Sequence, residues 1–131
     1  MLEQTLQKVI PSQLSNFRKL TEGYDPYCFA SWDKEDSILI LRYWFWNKTQ
    51  TKKNKKRVFV NEVEELLKNS LRVKKITRCE FKKYCPRTQG DGPCGFAVTI
   101  RILEHFQIVG VVDGEYIVRS EKKIQELIGN Q

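Results

Sequence analysis

Histidine occurs once in the 131 residues, as His105. A single imidazole excludes paired-histidine metal motifs of the H-E-x-x-H kind and any catalytic scheme that needs two histidines. No G-x-x-x-x-G-K-[ST] loop and no G-x-G-x-x-G fingerprint is present, so the usual phosphate-cradling and dinucleotide-binding turns are absent as well. No apolar run approaches the roughly 18 residues of a membrane-spanning helix. The opening residues 1–13 carry an acid and lack both a basic start and a small-residue cleavage site, which predicts a cytoplasmic protein with no membrane partner.

Cysteine is sparse and irregular. Cys79 and Cys85 are too far apart for the C-x2–4-C zinc spacing, Cys94 follows after a longer gap, and Cys28 lies far upstream. The expectation is reduced thiols packed as small apolar groups, with no metal, cluster or other cofactor.

What the chain has in quantity is positive charge, unevenly placed. Net charge is +7. Residues 42–88 hold fifteen basic and four acidic residues, a balance of +11, whereas the remainder holds eight basic and twelve acidic, a balance of −4. A basic middle in an acidic frame is the footprint of a polyanion binder. Six of these cations (Lys48, Lys52, Lys53, Lys55, Lys56 and Arg57) fall in 47–57 with no acid among them. Lysines in such a stretch follow phosphates as point charges without reading bases. The aromatics just before it, residues 43–46, read as core rather than as stacking platforms.

Hydrophobic spacing predicts a single domain of α+β class. Leu2, Leu6, Val9 and Ile10 recur at helical intervals, and after Pro11 a second helical set runs through Leu14, Phe17 and Leu20. Residues 37–46, rich in β-branched and aromatic side chains with both faces apolar, predict a covered strand. It returns through the basic stretch to 58–60, making a hairpin with a long basic tip. Asn61 is a candidate helix cap. Thr77 to Glu80 form a capping box, with Ile76 and Phe81 placed as a staple. Pro86 ends that helix, and 87–92 reads as a loop. A helix over 93–107 follows, opened by Pro93. Asp113-Gly114 between apolar runs predicts a two-residue hairpin turn, and Ser120 caps a last short helix.

The order from residue 58 onward is strand, three helices, hairpin and helix. The passage IRILEHFQIVGVVDGEYIV resembles winged-helix domains, where a helix ending in Leu-Glu runs into an apolar strand, a tight turn and a returning strand. The resemblance covers about residues 58–128. It implies a winged-helix-like unit carrying an N-terminal helical segment and an extra basic hairpin. It also implies a small DNA-binding regulator or an accessory subunit of a nucleic-acid-processing complex, with DNA favoured over RNA. By the same resemblance helix 93–107 reads the major groove, with Thr99, Arg101, Glu104, His105 and Gln107 among its polar side chains and Thr99 and Arg101 as the candidate contacts. The short helix 78–84 sets Arg78, Lys82 and Lys83 near phosphates, and 109–118 is the wing. Apart from the resemblance, the backbone amides of the 90–95 turn can hold an anion at a helix N-terminus, with Arg87 and Thr88 beside it. Two features depart from the winged-helix pattern. Helix 93–107 is mostly apolar, and the wing tip carries Asp113 and Glu115. The third helix is therefore open to a core role, with contacts passing to 47–57 and 68–88. The alternative is a protein-interaction subunit docking through the apolar strand 37–46.

Residues 90–96, GDGPCGF, resemble the nucleophile motif of OTU-type deubiquitinating cysteine proteases, D-G-x-C-x-F, which implies Cys94 as nucleophile. A thiol nucleophile needs an imidazole base within hydrogen-bond reach. His105 stands eleven residues along the same helix, roughly 16 Å away at 1.5 Å per residue. The expectation is therefore a structural Cys94 and no enzyme.

Overall fold

The computed structural model describes residues 2–20, 25–46 and 53–129. After α1 (Leu2–Val9) come three strands, β1 (Asn16–Phe17), β2 (Tyr27–Glu35) and β3 (Ile38–Trp46), then β4 (Lys53–Phe59). The second half runs α2 (Val60–Val73), β5 (Lys75–Ile76), α3 (Arg78–Tyr84), α4 (Pro86–Gly90), α5 (Cys94–His105), β6 (Val109–Val112), β7 (Glu115–Val118) and α6 (Glu121–Ile128). The class is mixed α+β. Strands β1 to β4 form an antiparallel sheet in sequence order, and a smaller sheet has the order β5-β7-β6.

Strand β3 is interior to the larger sheet, and Leu39, Ile40 and Leu41 in succession are buried, so it is covered on both faces as its composition predicts. Its return strand starts earlier than expected. The β3–β4 ladder runs from Trp46↔Lys53 to Ile40↔Phe59, which puts Lys53, Lys55, Lys56 and Arg57 in a paired strand and not in a loop. Lys48 and Lys52 lie outside the described residues.

Three further expectations are corrected. The second N-terminal helical set is not helical. After Ile10 the chain turns and places Asn16–Phe17 against Cys28 and Tyr27, with Phe17 fully buried. Helix α2 begins at Val60 with Phe59 as its N-cap, so Asn61 is already inside the helix. Residues 86–90 form the short helix α4, with Pro86 in its first turn where its missing N–H costs nothing. The capping box does form on one side. Thr77 accepts the Glu80 N–H at 3.1 Å, while the Glu80 carboxylate accepts from Asn69 instead of closing the box. Asp113 and Gly114 both take positive φ, 52° and 76°, as a tight two-residue turn requires.

Buried apolar side chains from Leu2 to Ile128 make one continuous core. Helix α5 lies inside it, touching β1 and β4 of the larger sheet and β6 of the smaller one. The junction of α2, β4 and α4 is polar and closed. Glu62, only 6 % exposed, accepts the Arg87 N–H and Thr88 N–H at 2.9 Å each and the Thr88 hydroxyl at 2.7 Å. Thr88 in turn accepts the Phe59 N–H at 3.0 Å.

Candidate nucleic-acid interface

The end of α2, strand β5 and helices α3 and α4 carry a sequence-local run of exposed cations, termed the ridge. Residues 72–87 include Arg72, Lys74, Lys75, Arg78, Lys82, Lys83 and Arg87, all exposed, against one acid, Glu80. The Glu80 carboxylate is occupied by Asn69 Nδ2 at 2.7 Å. Arg78 and Lys82 are four residues apart on α3 and so share a face. Local packing holds several of these side chains. The Arg78 guanidinium sits 4.5 Å from the Phe96 ring centroid, Lys83 5.4 Å from that of Tyr84, and Arg87 4.2 Å from that of Phe59. Arg72 donates to Asn69, and Lys74 pairs with Glu121. The candidate positions Arg78, Lys82, Lys83 and Arg87 thus lie on one exposed stretch. Arg72, Lys74 and Lys75 belong with them; their signal in the sequence is the cationic run where α2 ends.

The β4 cations are in a different condition. Arg57 donates from Nε and from its backbone N–H to one Asp91 oxygen at 2.9 and 3.0 Å, and from Nη2 to the other at 2.9 Å. It also pairs with Glu35 at 3.1 Å. Glu35 is shared with Arg42 and, at 4.0 Å, with Arg87, while Arg42 holds Asp33 at 2.6 Å. Three arginines and three carboxylates therefore neutralise one another between β2, β3, β4 and the approach to α5. Lys56 lies 4.0 Å from the Phe45 ring centroid with its ammonium 3.5 Å from the Cys94 sulfur. Lys55 is exposed and 4.8 Å from the Trp44 ring centroid. Lys55 is thus the β4 cation best placed for an outside partner among those whose side chains are described.

Arg57 holds the Asp91 carboxyl below the ordinary carboxylate range, mainly by side-chain hydrogen bonding. A carboxyl depressed in the folded state stabilises the fold above its unfolded pKa, about 4 for Asp. That contribution is lost as pH falls through the folded value. Asp91→Asn is therefore expected to flatten the acid limb of the stability curve below about pH 4. Urea unfolding of both proteins across that range checks it; a limb of unchanged steepness would refute it.

Helix α5 does not present a reading face. Its Phe96 to Ile100 are all buried, and Thr99 is 1 % exposed. Arg101 donates to the backbone carbonyls of Arg18 and Lys19 at 2.9 and 3.1 Å and pairs with Glu104 at 2.7 Å. Of the positions that the winged-helix resemblance offered for base contact, Thr99 is buried and Arg101 and Glu104 bond internally, while His105 and Gln107 at the end of the helix are exposed. The physical reason is the larger sheet, whose β1 and β4 cover the helix.

All four cysteines are unpaired. Cys85 is buried, which pushes its thiol well above the usual range, but Cys79 is exposed and Cys28 and Cys94 are half-buried, so the packed-thiol expectation holds for Cys85 alone. Cys94 opens α5 and His105 closes it, so the helix holds them at opposite ends. The side chains against Cys94 include Lys56 and Tyr27. No helix among the described residues is long and apolar enough to cross a membrane. No protein-family model, curated protein or solved structure matches the chain.

Proposed function

We propose that this chain is a non-catalytic nucleic-acid-binding module of winged-helix type that grips the phosphate backbone with the 72–87 ridge and Lys55. The observation that carries the reading is the ridge itself, with seven exposed cations; its one acid, Glu80, is engaged by Asn69, and two of the cations, Lys74 and Arg87, are shared with Glu121 and Glu35. The element order α2-β5-α3-α5-β6-β7 and the sheet order β5-β7-β6 support the winged-helix class, with α4 as an insertion between α3 and α5. DNA is the favoured partner. Because α5 is enclosed, affinity arises mainly from phosphates and sequence preference is weak.

Anisotropy titrations with duplex DNA, single-stranded DNA and RNA at two salt concentrations test this. Binding that falls steeply with salt is expected, through counterion release. Binding that ignores salt, or no binding to any of the three, would overturn it. Salt-insensitive capture of a protein would favour the second reading, a protein-interaction subunit. One observation favours that reading: Val111 and Val112 on the edge strand β6 are 50 % and 41 % exposed. In the strand 37–46, which the alternative reading took as the docking surface, Leu39, Ile40, Leu41 and Tyr43 are buried while Ile38, Trp44 and Phe45 are half-buried.

A further inference from the structure

Between the start of α3 and the β6–β7 turn lies a groove of about 340 Å³, lined by Lys75, Thr77, Arg78, Phe96, Glu115 and Tyr116 among others. Its volume is at the lower end of small-ligand pockets, about 300–1,000 Å³. Its inner wall is aromatic and fixed. Phe96 packs edge-on against Phe81 at 5.4 Å and against Tyr116 at 5.6 Å between centroids. Arg78 lies over Phe96, so its guanidinium is held at the groove and is not swinging freely in solvent. Lys75 stands exposed at the rim, on the strand that pairs with β7 through Lys75↔Ile117. At the turn, a Cβ on Gly114 would meet nothing within 4 Å, which leaves the mouth open on that side.

We propose that this groove takes one unpaired nucleotide of a single-stranded DNA segment, with the base stacked on the Arg78 guanidinium and the adjoining phosphate at Lys75. This rests on the nucleic-acid reading above and assigns it a base-contact site. Three features select this occupant. A planar cation braced by an aromatic ring is a stacking platform for bases. The cations at 75 and 78, continuing along α3 to Lys82 and Lys83, match a polyanionic strand. Glu115 would repel a phosphate placed deep in the groove but accepts hydrogen bonds from an exocyclic amino group, which orients the strand with its base inward and its backbone toward Lys75. Thr77 Oγ1 accepts the Glu80 N–H as the α3 cap, which leaves its O–H free to donate.

The test compares an oligodeoxyadenylate with an abasic strand of equal length and charge, by anisotropy at low salt. The native protein is expected to bind the base-bearing strand about tenfold more tightly, equivalent to about 1.4 kcal/mol. Arg78→Lys keeps the charge and removes the plane. It should abolish that preference, so that the variant binds the two strands equally whatever its absolute affinity, with circular dichroism confirming the fold. Equal binding of both strands by the native protein, or a preference that survives in Arg78→Lys, overturns the groove and leaves the basic ridge standing. Binding of neither strand, nor of duplex, removes the ridge and the groove together.

Discussion

Glu62→Ala is expected to cost about 3–5 kcal/mol of folding stability, a large fraction of the roughly 5–15 kcal/mol a domain possesses. The substitution removes one carboxylate but strands three donors: the amides of Arg87 and Thr88 and the Thr88 hydroxyl. A buried donor left without a partner costs about 1–3 kcal/mol. The loss then spreads, because Thr88 also accepts from Phe59 at the end of β4. Glu62→Gln keeps a carbonyl oxygen but turns an amide nitrogen toward a donor, so about half that cost is expected. Urea melts of the three proteins settle the order. A cost below 1 kcal/mol for Glu62→Ala would mean that water satisfies the amides and that the network is dispensable.

The second large effect is on binding. Replacing Arg78, Lys82 and Lys83 together by Ala is expected to reduce the slope of log affinity against log salt by about 2.7, since each phosphate contact contributes about 0.9 on duplex DNA. Between 50 and 200 mM salt, the native protein should lose roughly 40-fold more affinity than the variant. The fold should survive, because these side chains are exposed and such substitutions usually stay within about 0.5 kcal/mol. Arg101→Ala provides the contrast. Its guanidinium is spent on two backbone carbonyls and Glu104, so it is expected to lower stability and leave sequence preference unchanged. An unchanged salt slope in the folded triple variant would take α3 off the binding surface.

Where periodicity and turn chemistry acted locally, the sequence was informative. The Thr77 cap, the Asp113-Gly114 turn, the Ser120 cap and the buried β3 strand follow from short patterns and are found in place. Strand β2 left little trace. Its side chains are mostly half-buried on both faces, so no clean alternation marks it. Its turn to β3 uses Asp36 and Ser37 at positive φ, without the glycine that normally advertises such a turn. The basic stretch was legible as charge but not as arrangement. Arg57 and Arg87 are neutralised by Asp91 and Glu35, which lie 34 and 22 residues from Arg57 in the chain. Composition counts charges and cannot see which ones cancel. Arg78 and Lys82, by contrast, fall on one helix face at a spacing any helical reading recovers, and Lys74 and Lys75 lie within the basic segment 68–88 that charge alone marks.

The Arg57–Asp91 contact also sets what α5 can do mechanically. It joins β4 to the chain three residues before the helix begins, using three donors on one carboxylate. Ratcheting α5 by one turn along its axis would carry Asp91 about 5.4 Å, well beyond hydrogen-bond reach of about 3 Å. The contact therefore works as a tether: it pins the segment that leads into the helix to the edge of the larger sheet, and a slide of that segment together with the helix begins with its release.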